Sequence, residues 1–207
     1  MNRAKFLNRA GLYDMVSGKA AALGLNMAAP NYRIDAMQLA MQVCLNLKIE
    51  MLNFKETKIC GILYKGENST TIGLNARRSL FGQNFDCMHE LIHYWFHDRR
   101  HFWCTPYDDS LSHKNFEAHL EWQANEGAAQ FLMPYQSFIP NYSDFHDHFY
   151  ARLSPENAQN AIIDHLAKSY LVGQKAVEYR INGLEKEITQ FVKGIQIPQI
   201  KIISRHK

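Results

Sequence analysis

Apolar positions recur at helical spacing in five stretches of the chain, with one β-rich interval between the first and second. In residues 32–47, Ile34, Met37, Met41, Cys44 and Leu45 fall on one helix face, and Pro30 marks the entry to it. Residues 58–75, KICGILYKGENSTTIGLN, hold two β-rich runs around a Gly-Glu-Asn-Ser turn at 66–69, which predicts a hairpin. Over 80–97, Phe81, Phe85, Met88, Ile92, Trp95 and Phe96 lie within a narrow arc at about 100° per residue. That is the mark of a buried amphipathic helix, and His89 and His93 sit on the edge of the arc.

A polar and aromatic loop over 98–112 leads to a helix over 113–132, whose stripe is Phe116, Leu120, Ala124, Ala128, Phe131 and Leu132, with Pro134 just after its end. Its middle is small (Ala124, Gly127, Ala128), which lets a neighbouring helix approach closely. A connection rich in Tyr, Pro, Asp and His follows over 134–155, then two short helices at 156–168 and 173–188, then a basic, β-leaning tail, IQIPQIKIISRHK. Residues 1–30 lack sustained periodicity and are expected to be a poorly packed arm. The pattern predicts an α+β protein, helix-rich with a small β-sheet: an N-terminal arm at 1–30, a main domain at 31–150, and a helical subdomain with a basic tail at 151–207. No internal repeat and no low-complexity segment is present.

At 207 residues, 46% hydrophobic and 21% charged, the chain has the makeup of a globular protein, which excludes disordered and collagen-like classes. A net charge of +3 is too small to argue for a nucleic-acid or membrane partner. Cys44, Cys60, Cys87 and Cys104 form no C-x-x-C pair and sit mostly in apolar stretches, as reduced thiols of a cytoplasmic protein do. The run AAALGLNMAA at 20–29 makes no convincing signal peptide, because Asp14, Lys19 and Asn26 interrupt it, and no apolar span long enough to cross a membrane occurs.

The chemistry is concentrated in CMHELIHYWFH, residues 87–97. Two histidines at i and i+4 on one helix stand about 6 Å apart, so both can reach one ion at bond lengths of about 2.1 Å. Glu90 between them can hold a water and take its proton. Random ordering of these residues would produce H-E-x-x-H only about 0.03 times per chain. The alternative is a pair of core histidines satisfied by local hydrogen bonds. His97, eight residues from His89 and so about 12 Å along the helix axis, is too far to share the ion. The elongated metzincin pattern is excluded, since Arg99 stands where its third histidine would be. The remaining source is a carboxylate on the helix at 113–132, where Glu117 and Glu121 lie in the stripe while His119 and Glu126 face solvent. Geometry leaves both glutamates open.

HELIH followed by EWQANEGAAQFLMP resembles the ImmA/IrrE-type zinc peptidases, whose pattern is H-E-x-x-H, then E-x-x-A-N and a run ending in Leu-Met-Pro. The likeness extends to TTIGLN and Phe85 upstream and to HLAKSYLVGQKAVEYRINGL downstream, covering roughly residues 31–188. The resemblance implies a zincin-like, gluzincin-like metallopeptidase domain followed by a helix-turn-helix-like subdomain. It implies Zn2+ on His89, His93 and Glu121, Glu90 as general base, and Asn125 as a partner supporting that site. It also implies an anti-repressor role, with a helix-turn-helix repressor of a phage or mobile element as substrate. The chain departs from the family at Ile92, where a small residue is usual, and at Asp86, Cys87 and Met88; these bear on the cleft and not on the ligands.

Hydrolysis also needs an oxyanion stabiliser, for which Tyr94, Tyr107, His113 and Tyr142 are candidates. By analogy with zinc peptidases, a substrate would add as a strand beside the hairpin. DNA binding by the C-terminal segment is possible but not favoured. Across 155–190, Lys168, Lys175, Arg180 and Lys186 are outnumbered by Glu156, Asp164, Glu178, Glu185 and Glu187, a net of −1. In the tail, Lys201, Arg205 and Lys207 are expected to guard an edge strand. Two rival readings share these residues: a non-enzymatic zinc regulator that binds DNA or a repressor, and the toxin of a toxin–antitoxin pair.

Overall fold

The computed structural model describes residues 7–56, 59–97, 101–104 and 116–203. Its elements in chain order are α1 (Arg9–Ala22), α2 (Ala36–Val43), β1 (Leu47–Leu52), β2 (Gly61–Lys65), β3 (Thr70–Asn75), α3 (Leu80–Phe96), β4 (His101–Cys104), α4 (Phe116–Leu132), α5 (Tyr135–Tyr150), α6 (Pro155–Tyr170), α7 (Gln174–Gly183) and α8 (Glu185–Val192). The class is α+β, as the pattern predicted. The chain divides into two compact units, one built around Asp35–Ala128 and the other around Asn8–Ile34 and Ala129–Lys207. Among the described residues no helix is long and apolar enough to cross a membrane.

In the first unit the predicted hairpin forms: β2 and β3 pair antiparallel, and Gly66 N–H donates to the Ser69 carbonyl at 2.9 Å to close the turn. The sheet order is β1-β3-β2-β4, with β1 parallel to β3 and β4 antiparallel to β2. Both hairpin strands are therefore interior, with no free edge beside either for a peptide to join; among the described residues the sheet edges are β1 and β4. This corrects the expectation of strand addition at 58–75. The helix expected over 32–47 is shorter: Asp35 caps α2 through the Gln38 N–H at 2.9 Å, and Leu47 already belongs to β1. β1 escaped the pattern because its alternation is spent largely on half-exposed positions. Part of the predicted 98–112 loop is β4.

Helix α3 packs on β2 and β3 and starts where the Ser79 hydroxyl accepts from the Gly82 N–H at 3.1 Å. The apolar arc expected to be buried is only half so. Phe81, Phe85, Trp95 and Phe96 are half-buried, while every residue from Asp86 to His93 is buried. In α4, Leu120, Ala124, Ala128, Phe131 and Leu132 are buried as expected, but Phe116 is exposed. The close approach predicted for its small residues is realised at Gly127, where a Cβ would lie 3.2 Å from Ile92 Cγ2. The bulk of Ile92, unusual for the resembled family, is thus taken up by a glycine on the facing helix.

In the second unit, α1 is a packed helix and no arm: Leu12, Tyr13, Val16 and Ala20 are at most 2% exposed. Its small residues and modest apolar face had hidden the periodicity. Arg180, 3% exposed, anchors it. The guanidinium donates to the Tyr13 hydroxyl, to Gln130 Oε1 and, at 2.9 Å, to the Met133 carbonyl. α5 forms where a connection was expected: Pro134 opens the helix, and burial of Ser137, Phe138 and Ile139 outweighs the backbone hydrogen bond that Pro140 removes inside it. α6 and α7 join through Leu171, Val172 and Gly173, and the segment expected as one helix at 173–188 is two, α7 and α8. The tail is no strand over its described part. It is held by side chains, with Lys201 N–H donating to Gln190 Oε1 at 3.0 Å and Ile203 N–H to Glu187 Oε1 at 2.7 Å.

Candidate metal centre

One turn of α3 separates His89 from His93, and both rings are fully buried. From α4, Glu121 reaches them with one carboxylate oxygen apiece: Oε2 lies 3.3 Å from His89 Nε2 and Oε1 lies 3.3 Å from His93 Nε2. The two Nε2 atoms are 3.0 Å apart. Tetrahedral bonds of about 2.1 Å place ligand atoms roughly 3.4 Å from one another, so the three donors already stand near the spacing one ion requires. Among the described residues these three side chains form the group able to hold a metal, their ligand atoms all within 4.8 Å. Glu117, the other glutamate left open by spacing, is exposed one turn earlier, while Glu121 is partly buried.

The electrostatics point the same way. Burial disfavours charge on His89, but the hydrogen bond and the charge of Glu121 prevail and raise its pKa to about 9. Burial lowers His93 to about 3, the neighbouring His89 adding to it. Burial would raise Glu121 as well, yet its hydrogen bonds with both histidines hold it below the usual carboxylate range. The cluster thus traps a positive charge between two imidazoles and a carboxylate, where a metal cation would replace the proton.

Glu90 is fully buried, and among the described residues neither of its carboxylate oxygens has a hydrogen-bond partner. Burial raises it to about 8; the His89 charge pulls downward, and Glu121 and Asp86 add to the rise. A buried carboxylate with both oxygens unsatisfied is costly. Strand β2 leaves it room, because a Cβ at Gly61 would lie 3.1 Å from Glu90 Oε1. Gly61→Val should therefore displace the Glu90 carboxylate while sparing the donors on α3 and α4. The expected result is unchanged metal content with any hydrolysis that depends on Glu90 lowered by about tenfold or more, read by metal analysis and an activity assay side by side.

Asn125 lies one turn beyond Glu121 and accepts from His89 Nδ1 at 2.8 Å, orienting the ring so that Nε2 faces Glu121. His97 is placed differently from the sequence expectation. α3 ends at Phe96, and His97 is its extended C-cap (φ −117°, ψ 124°), so its ring folds back to set Nδ1 2.7 Å from His93 Nδ1. His119 and Glu126, expected to face solvent, are buried. His119 Nε2 bonds Gln123 Nε2 at 2.9 Å, and Gln123 Oε1 bonds His97 Nε2 at 2.9 Å. The i+4 spacing of His97 from His93 was the available signal for this second row of contacts. Among the oxyanion candidates, Tyr94 is half-buried with the Lys65 ammonium 5.7 Å from its ring, and the Tyr142 ring lies tilted against His146 on α5, with centroids 6.0 Å apart. Tyr107 and His113 lie outside the described residues, as do Arg205 and Lys207.

An H-E-x-x-H helix laid on a small sheet, with a carboxylate contributed by a second helix, defines a metallopeptidase-like domain. Residues 43–182 match the IrrE N-terminal-like domain of the M78 peptidases, and the chain belongs to that family. No curated relative matches the chain.

Proposed function

We propose that the protein is a zinc-dependent endopeptidase of the cytoplasm that hydrolyses a peptide bond in a helix-turn-helix repressor of a phage or mobile element. The observation carrying this reading is Glu90: a fully buried carboxylate with no hydrogen-bond partner among the described residues, kept beside a three-residue group of metal-binding geometry. Two imidazole nitrogens and one carboxylate oxygen are the donor set of a catalytic zinc that keeps a position open. Zinc, when bound, acts as a Lewis acid and acidifies water at that position. His89, His93 and Glu121 would hold it, with Asn125 fixing the His89 ring. Glu90 takes the proton of the attacking water and returns it to the leaving amine nitrogen.

The choice of a protein partner over nucleic acid is supported by the second unit. Of the four cations in 155–190, Arg180 is buried and Lys168 is paired with Asp164 at 2.6 Å, leaving little basic surface for phosphates. The substrate class itself rests on the family resemblance.

The test is metal analysis of the purified full-length chain together with cleavage of a candidate repressor. About one zinc per chain, the single ion such a donor set holds, and a defined cut that a chelator stops are expected. A folded wild-type chain that takes up no zinc would overturn the proposal.

A further inference from the structure

The second row of contacts behind His93 has a direction. Two imidazoles meeting Nδ1 to Nδ1, as His93 and His97 do at 2.7 Å, need one donor and one acceptor. Gln123 Oε1 can only accept, so the bond at 2.9 Å requires the His97 proton on Nε2. A buried neutral imidazole carries one proton, so His97 Nδ1 is bare and accepts from His93 Nδ1–H. His93 Nε2 then has its lone pair free, and that atom faces His89 Nε2 and Glu121. At the far end, the Gln123 amide NH2 donates to His119 Nε2 at 2.9 Å, so every bond in the row is satisfied by one neutral form of each ring.

Resting on the metal-site reading above, we propose that His97, Gln123 and His119 form a polarised relay that fixes the His93 tautomer and so presents Nε2 to the metal. His97 is a positioning residue here. Its reach depends on two features of the fold. The chain leaves the helix at Phe96, and the Lys65 ammonium of β2 donates to the His97 carbonyl at 2.7 Å, holding that extended turn in place. The amide of Gln123 sets the direction, since its carbonyl end faces His97 and its NH2 end faces His119. Partners of this kind on the unbound nitrogen of a ligating histidine raise metal affinity by about 10- to 100-fold.

The experiment uses the full-length chain, with zinc affinity measured by chelator competition on wild type and two isosteric variants. In His97→Asn the amide oxygen stands where Nδ1 was and still accepts from His93; in His97→Gln the amide reaches only the Nε2 position. The relay requires His97→Asn to stay within about threefold of wild type and His97→Gln to bind zinc about 10- to 100-fold more weakly. Long-range proton–nitrogen NMR of the metal-free wild type supplies a readout without mutation: His93 protonated on Nδ1 and His97 on Nε2. Equal affinities for the two variants, whether both intact or both weakened, overturn the relay, as does either ring protonated on the opposite nitrogen. Wild type that binds zinc beside an unaffected His97→Gln overturns the relay alone; wild type that binds none overturns the endopeptidase reading with it.

Discussion

Glu90→Gln is expected to keep the metal at the wild-type level and to lower the rate of peptide cleavage by about 10²- to 10⁴-fold, the range that a positioned general base contributes. The substitution preserves size and replaces a carboxylate that is fully buried and, among the described residues, has no hydrogen-bond partner on either oxygen. None of the three metal-binding donors is touched, so affinity has no reason to fall. Stability moves the other way from activity. Burial already holds Glu90 up at about 8, which means its charged form is disfavoured in this site, whereas an amide loses less on leaving water. The variant should therefore melt at or above the wild-type temperature in the metal-free form. Loss of cleavage with a retained ion and an undiminished Tm would separate a base from a packing residue. A non-enzymatic zinc regulator would show full biological effect in the same variant.

Much of this site was legible from spacing alone. His89, Glu90 and His93 were marked because i, i+1 and i+4 on a helix is a periodic relation that needs no tertiary knowledge. Glu121 and Glu117 were indistinguishable because they too are one turn apart, and what separates them is burial against a partner helix. His97 was set aside on a rise of 1.5 Å per residue, an estimate valid only while the helix continues. Its extended backbone turns the same residue into the partner of His93. The apolar arc of α3 misled for a related reason. Periodicity weighs hydrophobic residues, whereas this helix is buried around Asp86–His93, where its polar chemistry lies. Among the elements, β2 and β3 declared themselves through a local turn, while each residue of β1 pairs with a parallel partner 23 residues away in sequence and left little trace.

Arg180→Ala is expected to destabilise the chain by about 3 kcal/mol or more, since each buried acceptor left without its donor costs about 1–3 kcal/mol. In the sequence Arg180 counted as one cation among four on a helical segment, available to phosphate. In the structure it is 3% exposed and donates to the Met133 carbonyl, Gln130 Oε1 and the Tyr13 hydroxyl. Tyr13 retains a second donor in Arg9 Nε at 3.0 Å and Gln130 Oε1 retains one in the Tyr135 N–H at 3.3 Å, so the loss falls fully on the Met133 carbonyl and in part on the other two. The guanidinium also lies 5.3 Å from the Tyr13 ring centroid, a further contact that alanine removes. For a chain of this length 1 kcal/mol corresponds to about 2–4 °C, so Tm should drop by roughly 6–12 °C in a thermal melt. Lys175→Ala, at an exposed position on the same helix, should stay within about 0.5 kcal/mol of wild type. A nucleic-acid-reading residue would give the reverse: an unchanged Tm, with duplex binding lost in a mobility-shift assay. Because the guanidinium has its donors turned inward to the chain's own carbonyls, a large fall in Tm is the result that the structure requires.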